Sequence, residues 1–243
     1  MISIPKNVRL LASLAAVSAV FATGSHASTL VLNSNPYSDS YGGGEFTANG
    51  SSLDLSSYGS ATILNGGFET FCMEYGEHFS PGGTYAYSLS PNATGGDLPA
   101  GFDPVSVGTA WLYSQFAAGT LSGYSYATTG STRSASALQL QLAFWYLEDE
   151  TGAYTNFPTD HPGFNPAGNA FITAALSQFG GLAGAKADAN GQFGVSVLNL
   201  TSNNGQTNNQ SQLYYHVPEG SETLGLLGLG LIGLVGFRRR FAR

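Results

Sequence analysis

The stretch Ala137-Leu138-Gln139-Leu140-Gln141-Leu142-Ala143-Phe144-Trp145-Tyr146-Leu147-Glu148 decides how the middle of this chain is read. It forms the body of an expected helix over 135–148, with Ser134 as its cap. At helical spacing Gln141 lies between Phe144 on one side and Leu138 and Trp145 on the other. Gln139 points the opposite way, towards Tyr146 and Glu150. A Gln among large apolar side chains is costly unless its amide is satisfied. Two more helices are expected, over 104–118 with Asp103 as cap and Pro104 in the first turn, and over 167–179 after a Pro-rich loop. Candidate strands lie at 28–33, 61–73, 84–89, 193–200 and 211–216. Ser/Gly/Asn-rich stretches at 33–60, 90–101 and 201–211 read as loops. Strands flanking a helical middle predict an α+β fold.

Composition bounds the rest. The chain has 243 residues with 33 Gly, 42% hydrophobic and only 9% charged. That much apolar material excludes global disorder. The basic residues sit at the ends: between Ser28 and Val217 only Arg133 and Lys186 oppose thirteen Asp and Glu, a net of −11. A nucleic-acid partner needs a basic footprint, so nucleic acid is excluded.

Both ends read as addresses. Residues 1–27 have a basic start (Lys6, Arg9), an apolar run over 10–22 and small residues at Ser25 and Ala27, the pattern of a signal peptide for signal peptidase. Residues 217–243 begin with a breaker-rich hinge, Val217-Pro218-Glu219-Gly220-Ser221, continue as an apolar stretch over 224–237 and end in Arg238-Arg239-Arg240. A helix of this make-up is expected to enter the membrane, with the arginines on the cytoplasmic side. The stretch VPEGSETLGLLGLGLIGLVGFRRR resembles the PEP-CTERM sorting signal, with Gly220 where that family usually has a second Pro. The resemblance implies export across a Gram-negative envelope, handling by an exosortase, and a place on the outer surface or in an exopolysaccharide matrix. The chain between the addresses, 28–216, is expected to be one domain.

That domain contains a single cysteine, Cys72, within Phe68-Glu69-Thr70-Phe71-Cys72-Met73-Glu74-Tyr75, whose alternation predicts a strand with Thr70, Cys72 and Glu74 on one face. An odd cysteine in an exported protein calls for an explanation. An inert buried thiol, a nucleophile, an intermolecular disulfide and half of another covalent bond are the alternatives. Phe71-Cys72, with Gln141-Leu142-Ala143-Phe144-Trp145 sixty-nine residues later, resembles the thioester domain of bacterial surface adhesins, departing from it at Leu140 and Phe144. The resemblance covers roughly 65–215 and implies sandwich- or barrel-like strands with a helical insertion. It also implies a bond between the Cys72 sulfur and the Gln141 side-chain carbonyl, open to attack by a nucleophile on a surface protein or extracellular polysaccharide. Phe71, Phe144 and Trp145 would shield that bond, and Glu74 or His78 would assist proton transfer.

Other constellations carry less. No nucleophile signature surrounds Cys72 to pair it with His78 or His161 as a protease dyad. The histidines lack metal-ligand spacing, so no metal site is expected, and no cofactor is implied. The run Glu148-Asp149-Glu150 is expected to be solvated. Asp188-Ala189-Asn190-Gly191 begins like a calcium loop but has Val197 where the closing Glu belongs. The chain is therefore expected not to be an enzyme. It reads as an adhesive surface or matrix protein, with a non-covalent structural or carbohydrate-binding matrix protein as the alternative.

Overall fold

A computed structural model of the chain describes residues 28–38, 43–95 and 102–217. The expected signal peptide over 1–27, and the expected tail with Pro218, Glu219, its apolar stretch and Arg238, Arg239 and Arg240, lie outside the described residues. Among the described residues no helix is long and apolar enough to cross a membrane.

The architecture is α+β. Strands β1 (Thr29–Ser38), β2 (Gly44–Asn49), β3 (Ile63–Leu64), β4 (Gly67–Thr70), β5 (Gly83–Ser90), β8 (Val195–Ser202) and β9 (Thr207–Tyr215) form one sheet in the order β3-β4-β2-β1-β5-β8-β9. Every pairing in it is antiparallel. A two-stranded ribbon, β6 (Asn92–Ala93) with β7 (Asp103–Pro104), precedes the helices. These are α1 (Val107–Ala117), α2 (Thr132–Leu147), α3 (Glu150–Ala153), α4 (Phe157–Asp160), α5 (Ala170–Gln178) and α6 (Leu182–Ala185), all between β5 and β8. Helix α2 packs on β1 and β2. The residues after β4 turn towards β9: Met73 N–H donates to Ser211 O (3.0 Å), Leu213 N–H donates to Phe71 O (3.1 Å), and Cys72 pairs with Gln212 as an isolated bridge. The segment beside β4 thus meets the strand at the far end of the sheet.

Several boundaries differ from expectation for identifiable reasons. The expected strand 61–73 is a hairpin, because Asn65 and Gly66 take φ of 51° and 77° and turn the chain between β3 and β4. Asn-Gly favours such a two-residue turn, since both positions need positive φ. Cys72 therefore lies beyond a strand rather than inside one. The stretch 33–60 is not all loop: β1 runs on to Ser38, and β2 pairs with it. β2 escapes a hydrophobic pattern because Glu45 and Thr47 are buried along with Phe46 and Ala48. β9 likewise begins at Thr207, through polar residues that read as loop. Helix α1 is capped by Ser106, whose Oγ accepts from Thr109 N–H at 3.2 Å, not by Asp103. Asp103 and Pro104 are extended in β7 instead, the conformation that a residue before proline prefers. Helix α2 starts at Thr132, three residues before the expected position.

Burying Glu45 requires a partner. Arg133 on α2 forks onto it, Nε to Oε1 at 2.7 Å and Nη2 to Oε2 at 2.6 Å, and Nη2 also reaches Ala61 O at 3.0 Å. The Tyr37 ring covers the guanidinium at 4.3 Å, and the Tyr124 hydroxyl donates to Glu45 as well. Such bidentate, charge-assisted bonds fix orientation as well as charge. They hold α2 in one register on the sheet, which aims Gln141 inward.

Candidate functional site

Cys72 is held by three elements. β4 delivers it, β9 pairs with its backbone, and α2 brings Gln141 against it. All three of Cys72, Gln141 and Gln212 are buried, at 1%, 0% and 0% exposure. The Gln141 carboxamide meets the peptide of Cys72 face to face: Oε1 accepts from Cys72 N–H at 3.0 Å, and Nε2 donates to Cys72 O at 2.8 Å. The amide that looked costly in an apolar helix is thus satisfied on both sides. The expected pair is brought together.

The sulfur has its own neighbour. Gln212 on β9 donates from Nε2 to Cys72 Sγ at 3.6 Å and to Gln210 O at 3.4 Å. Its Oε1 is buried without a hydrogen-bond partner among the described residues. Burial pushes the Cys72 thiol up to about 12, against a lowering by the Gln212 bond, and the Glu77 carboxylate raises it further. A thiol so placed stays protonated at neutral pH, so it is not a ready thiolate nucleophile.

Aromatic side chains close the site. Phe71 makes edge contacts with Phe144 (5.3 Å), Phe116 (5.0 Å) and Tyr113 (6.5 Å), all fully buried. Phe71 and Phe144 therefore stand where shielding residues were expected. Trp145 lies one residue round the helix and packs edge-on against Tyr75 at 5.0 Å. Gly43 approaches from the other side, so close that a Cβ there would lie 3.0 Å from Gln141 Cγ and 3.2 Å from Trp145 Cη2.

Beyond Trp145 opens a cavity of about 410 Å³ lined by Tyr75, Glu77, His78, Trp145, Asp160 and Gln210 among others. Its walls touch the site directly, since Gln210 N–H donates to His78 O at 3.1 Å and Gln212 bonds to Gln210. A cavity of about 450 Å³ on another flank of α2, beside Leu138, Gln139 and Phe164, includes neither Cys72 nor Gln141 in its lining.

Glu74 takes a different place from the one expected on a shared strand face with Cys72. It turns into a group of carboxylates with Asp103 and Glu150. The acid whose charge acts on the thiol is Glu77, whose Oε2 accepts from Ser211 N–H at 3.4 Å. The run 148–150 is not solvated as a whole: Glu148 and Glu150 are buried, and only Asp149 is exposed. Glu148 accepts from Ser106 Oγ at 2.7 Å and from Ser106 N–H, which ties the end of α2 to the start of α1. Burial nevertheless pushes Glu148 up to about 8. Glu77 is a site residue that sequence reasoning missed, and Gln212 was placed on the expected closing strand 211–216 but not against the sulfur. A Gln-x-Gln spacing in a strand puts both amides of Gln210 and Gln212 on one face, and two inward amides signal a polar site. Val217 ends the described chain, its N–H donating to Ser57 Oγ at 3.0 Å.

No protein family, curated protein or solved structure matches this chain.

Proposed function

We propose that the chain is an exported surface or extracellular-matrix protein that attaches covalently through an internal Cys72–Gln141 thioester. The supporting observation is the double hydrogen bond between the Gln141 carboxamide and the Cys72 peptide inside an aromatic, dry enclosure. In forming the bond, Cys72 Sγ adds to Gln141 Cδ, the thiol proton passes to the amide nitrogen, and ammonia leaves. The Cys72 N–H already faces Gln141 Oε1, where negative charge gathers as the sulfur adds. Fixed proximity replaces a bimolecular encounter. An amine or hydroxyl from a surface protein or extracellular polysaccharide then displaces Sγ, forms an amide or ester to Gln141, and returns the proton to the thiolate. The cavity beside Trp145 offers a route for that nucleophile, and its carboxylates Glu77 and Asp160 favour a cationic amine.

The meeting of β9 with the segment after β4 supports reading the sheet as barrel-like with a helical insertion, as the adhesin resemblance implies. Within this proposal the signal peptide exports the domain. The PEP-CTERM-like tail, from Val217, Pro218 and Glu219 to the arginines, holds it at the Gram-negative envelope until an exosortase acts. The protein is not an enzyme in this reading, since each thioester reacts once.

Intact mass of the purified protein with and without methylamine tests the reading. A thioester lowers the mass by one ammonia, and methylamine adds to Gln141. A full mass, with Cys72 alkylated once unfolded, overturns it. The second reading, a non-covalent matrix or carbohydrate-binding protein, is favoured by one observation: Gln141 is already satisfied and the thiol is pushed up to about 12, as in an ordinary core. Reversible glycan binding that survives Cys72→Ala supports that second reading.

A further inference from the structure

Three carboxylates converge where the Cys72 segment, β7 and the end of the α2 region meet. One oxygen each from Glu74, Asp103 and Glu150 lies within 4.8 Å of the others, and all three residues are buried. Two oxygens bound to one calcium ion, each 2.3–2.6 Å from it, are at most about 5 Å apart, so the spacing matches a shared hard cation. Glu74 is 1% exposed, and both its carboxylate oxygens are buried without a hydrogen-bond partner among the described residues. Asp103, 7% exposed, has Oδ2 in the same condition. Glu150 is oriented by accepting from Tyr75 N–H at 2.7 Å on Oε2.

Neither lysine nor arginine in the described chain serves Glu74 or Asp103. Arg133 is committed to Glu45, and Lys186 is paired with Asp149. Those are the two Lys or Arg residues between Ser28 and Val217. The acids Glu77 and Glu148 also lie near Glu74. Three carboxylates gathered this closely out of water repel one another, a cost that a divalent cation removes.

We infer that Glu74, Asp103 and Glu150 bind a calcium ion that ties the segment bearing Cys72 to the helical layer bearing Gln141. The donors are all oxygen, as hard cations require, and they come from separated stretches of chain rather than one loop. Glu74 can offer both oxygens, with water completing the shell. Calcium suits such a loosely prescribed set better than magnesium, which demands near-ideal octahedral geometry and dehydrates reluctantly. This inference stands apart from the thioester, because its ligands include neither Cys72 nor Gln141.

The test is thermal unfolding of the purified protein, stripped with EDTA and then titrated with CaCl2 into the millimolar range. Saturating calcium raises the wild-type midpoint by on the order of 5 °C, and MgCl2 at the same concentration raises it less. Glu74→Gln and Asp103→Asn each abolish the calcium-dependent rise while unfolding in EDTA at or above the wild-type midpoint, since each replaces a buried acid with an amide that carries no ionisation penalty. Equilibrium dialysis of the wild type with calcium alone, which depends on no variant, gives about one ion per chain. A midpoint that calcium leaves unchanged, an equal response to magnesium, variants that keep the full rise, or no bound calcium on dialysis overturns the assignment.

Discussion

The side chain of Gln141 lies against the backbone of Cys72 as a neighbouring strand would, accepting from its N–H at 3.0 Å and donating to its carbonyl at 2.8 Å. Helix and sheet are thus joined by an amide that completes both partners at once. Gln141→Ala leaves two buried backbone groups without partners, each costing about 1–3 kcal/mol. The expected loss is about 2–6 kcal/mol, read from urea unfolding. A loss below about 0.5 kcal/mol would show that the pair does not form.

Glu69 predicts a pH dependence. Its Oε1 accepts from Thr47 Oγ1 at 2.7 Å, Oε2 accepts from Asn35, and burial, followed by the nearby Glu45 charge, pushes it up to about 9 from 4.5. The folded state therefore keeps a proton that the unfolded chain releases above about 4.5. Stability contributed by Glu69 is complete below that value and is lost as pH rises towards 9. Glu69→Gln, whose amide can donate to Glu45 as the protonated acid does, should flatten the decline between pH 5 and 9. Parallel curves for variant and wild type across that range would contradict the raised value.

Arg133 and Glu45 form a buried pair, at 2% and 0% side-chain exposure. Removing one partner strands the other charge, so Arg133→Met should cost about 3–5 kcal/mol. Adding Glu45→Gln should recover much of that loss. A double-mutant cycle in denaturant measures it, and additive losses would show that the two side chains are not coupled.

Gly43 tests how tightly Gln141 and Trp145 are packed. Ala there adds a methyl group 3.0 Å from Gln141 Cγ, so Gln141 or Trp145 must shift. A cost of about 1–3 kcal/mol is expected, together with a smaller ammonia-depleted fraction in the intact mass. Unchanged stability and unchanged mass would mean that the neighbours yield freely.

Cys72 and Gln141 each carry a local signal, an odd cysteine and an amide amid apolar helix positions, but that they meet was implied only by the resemblance to thioester domains. The helices α1, α2 and α5 were legible from local pattern and caps within a few residues, whereas the one-turn helices α3, α4 and α6 were not. β2 was not, because its inward Glu45 makes sense only with Arg133, eighty-eight residues away. The Asn65-Gly66 turn was written in the chain and was read through as strand. Gln212 and the Glu74–Asp103–Glu150 group depend on tertiary convergence. An acidic run such as 148–150 looks solvated until the fold turns two of its three members inward.

Cys72 and Gln212 are 140 positions apart, yet they bridge directly. A chain that emerges N-terminus first presents Cys72 early and Gln212 almost last. Until β9 arrives, the sulfur lacks its amide neighbour and one wall of its enclosure. The enclosure of Cys72 is therefore completed only once the strand bearing Gln212 has emerged, and a product truncated before β9 leaves the sulfur without its amide neighbour.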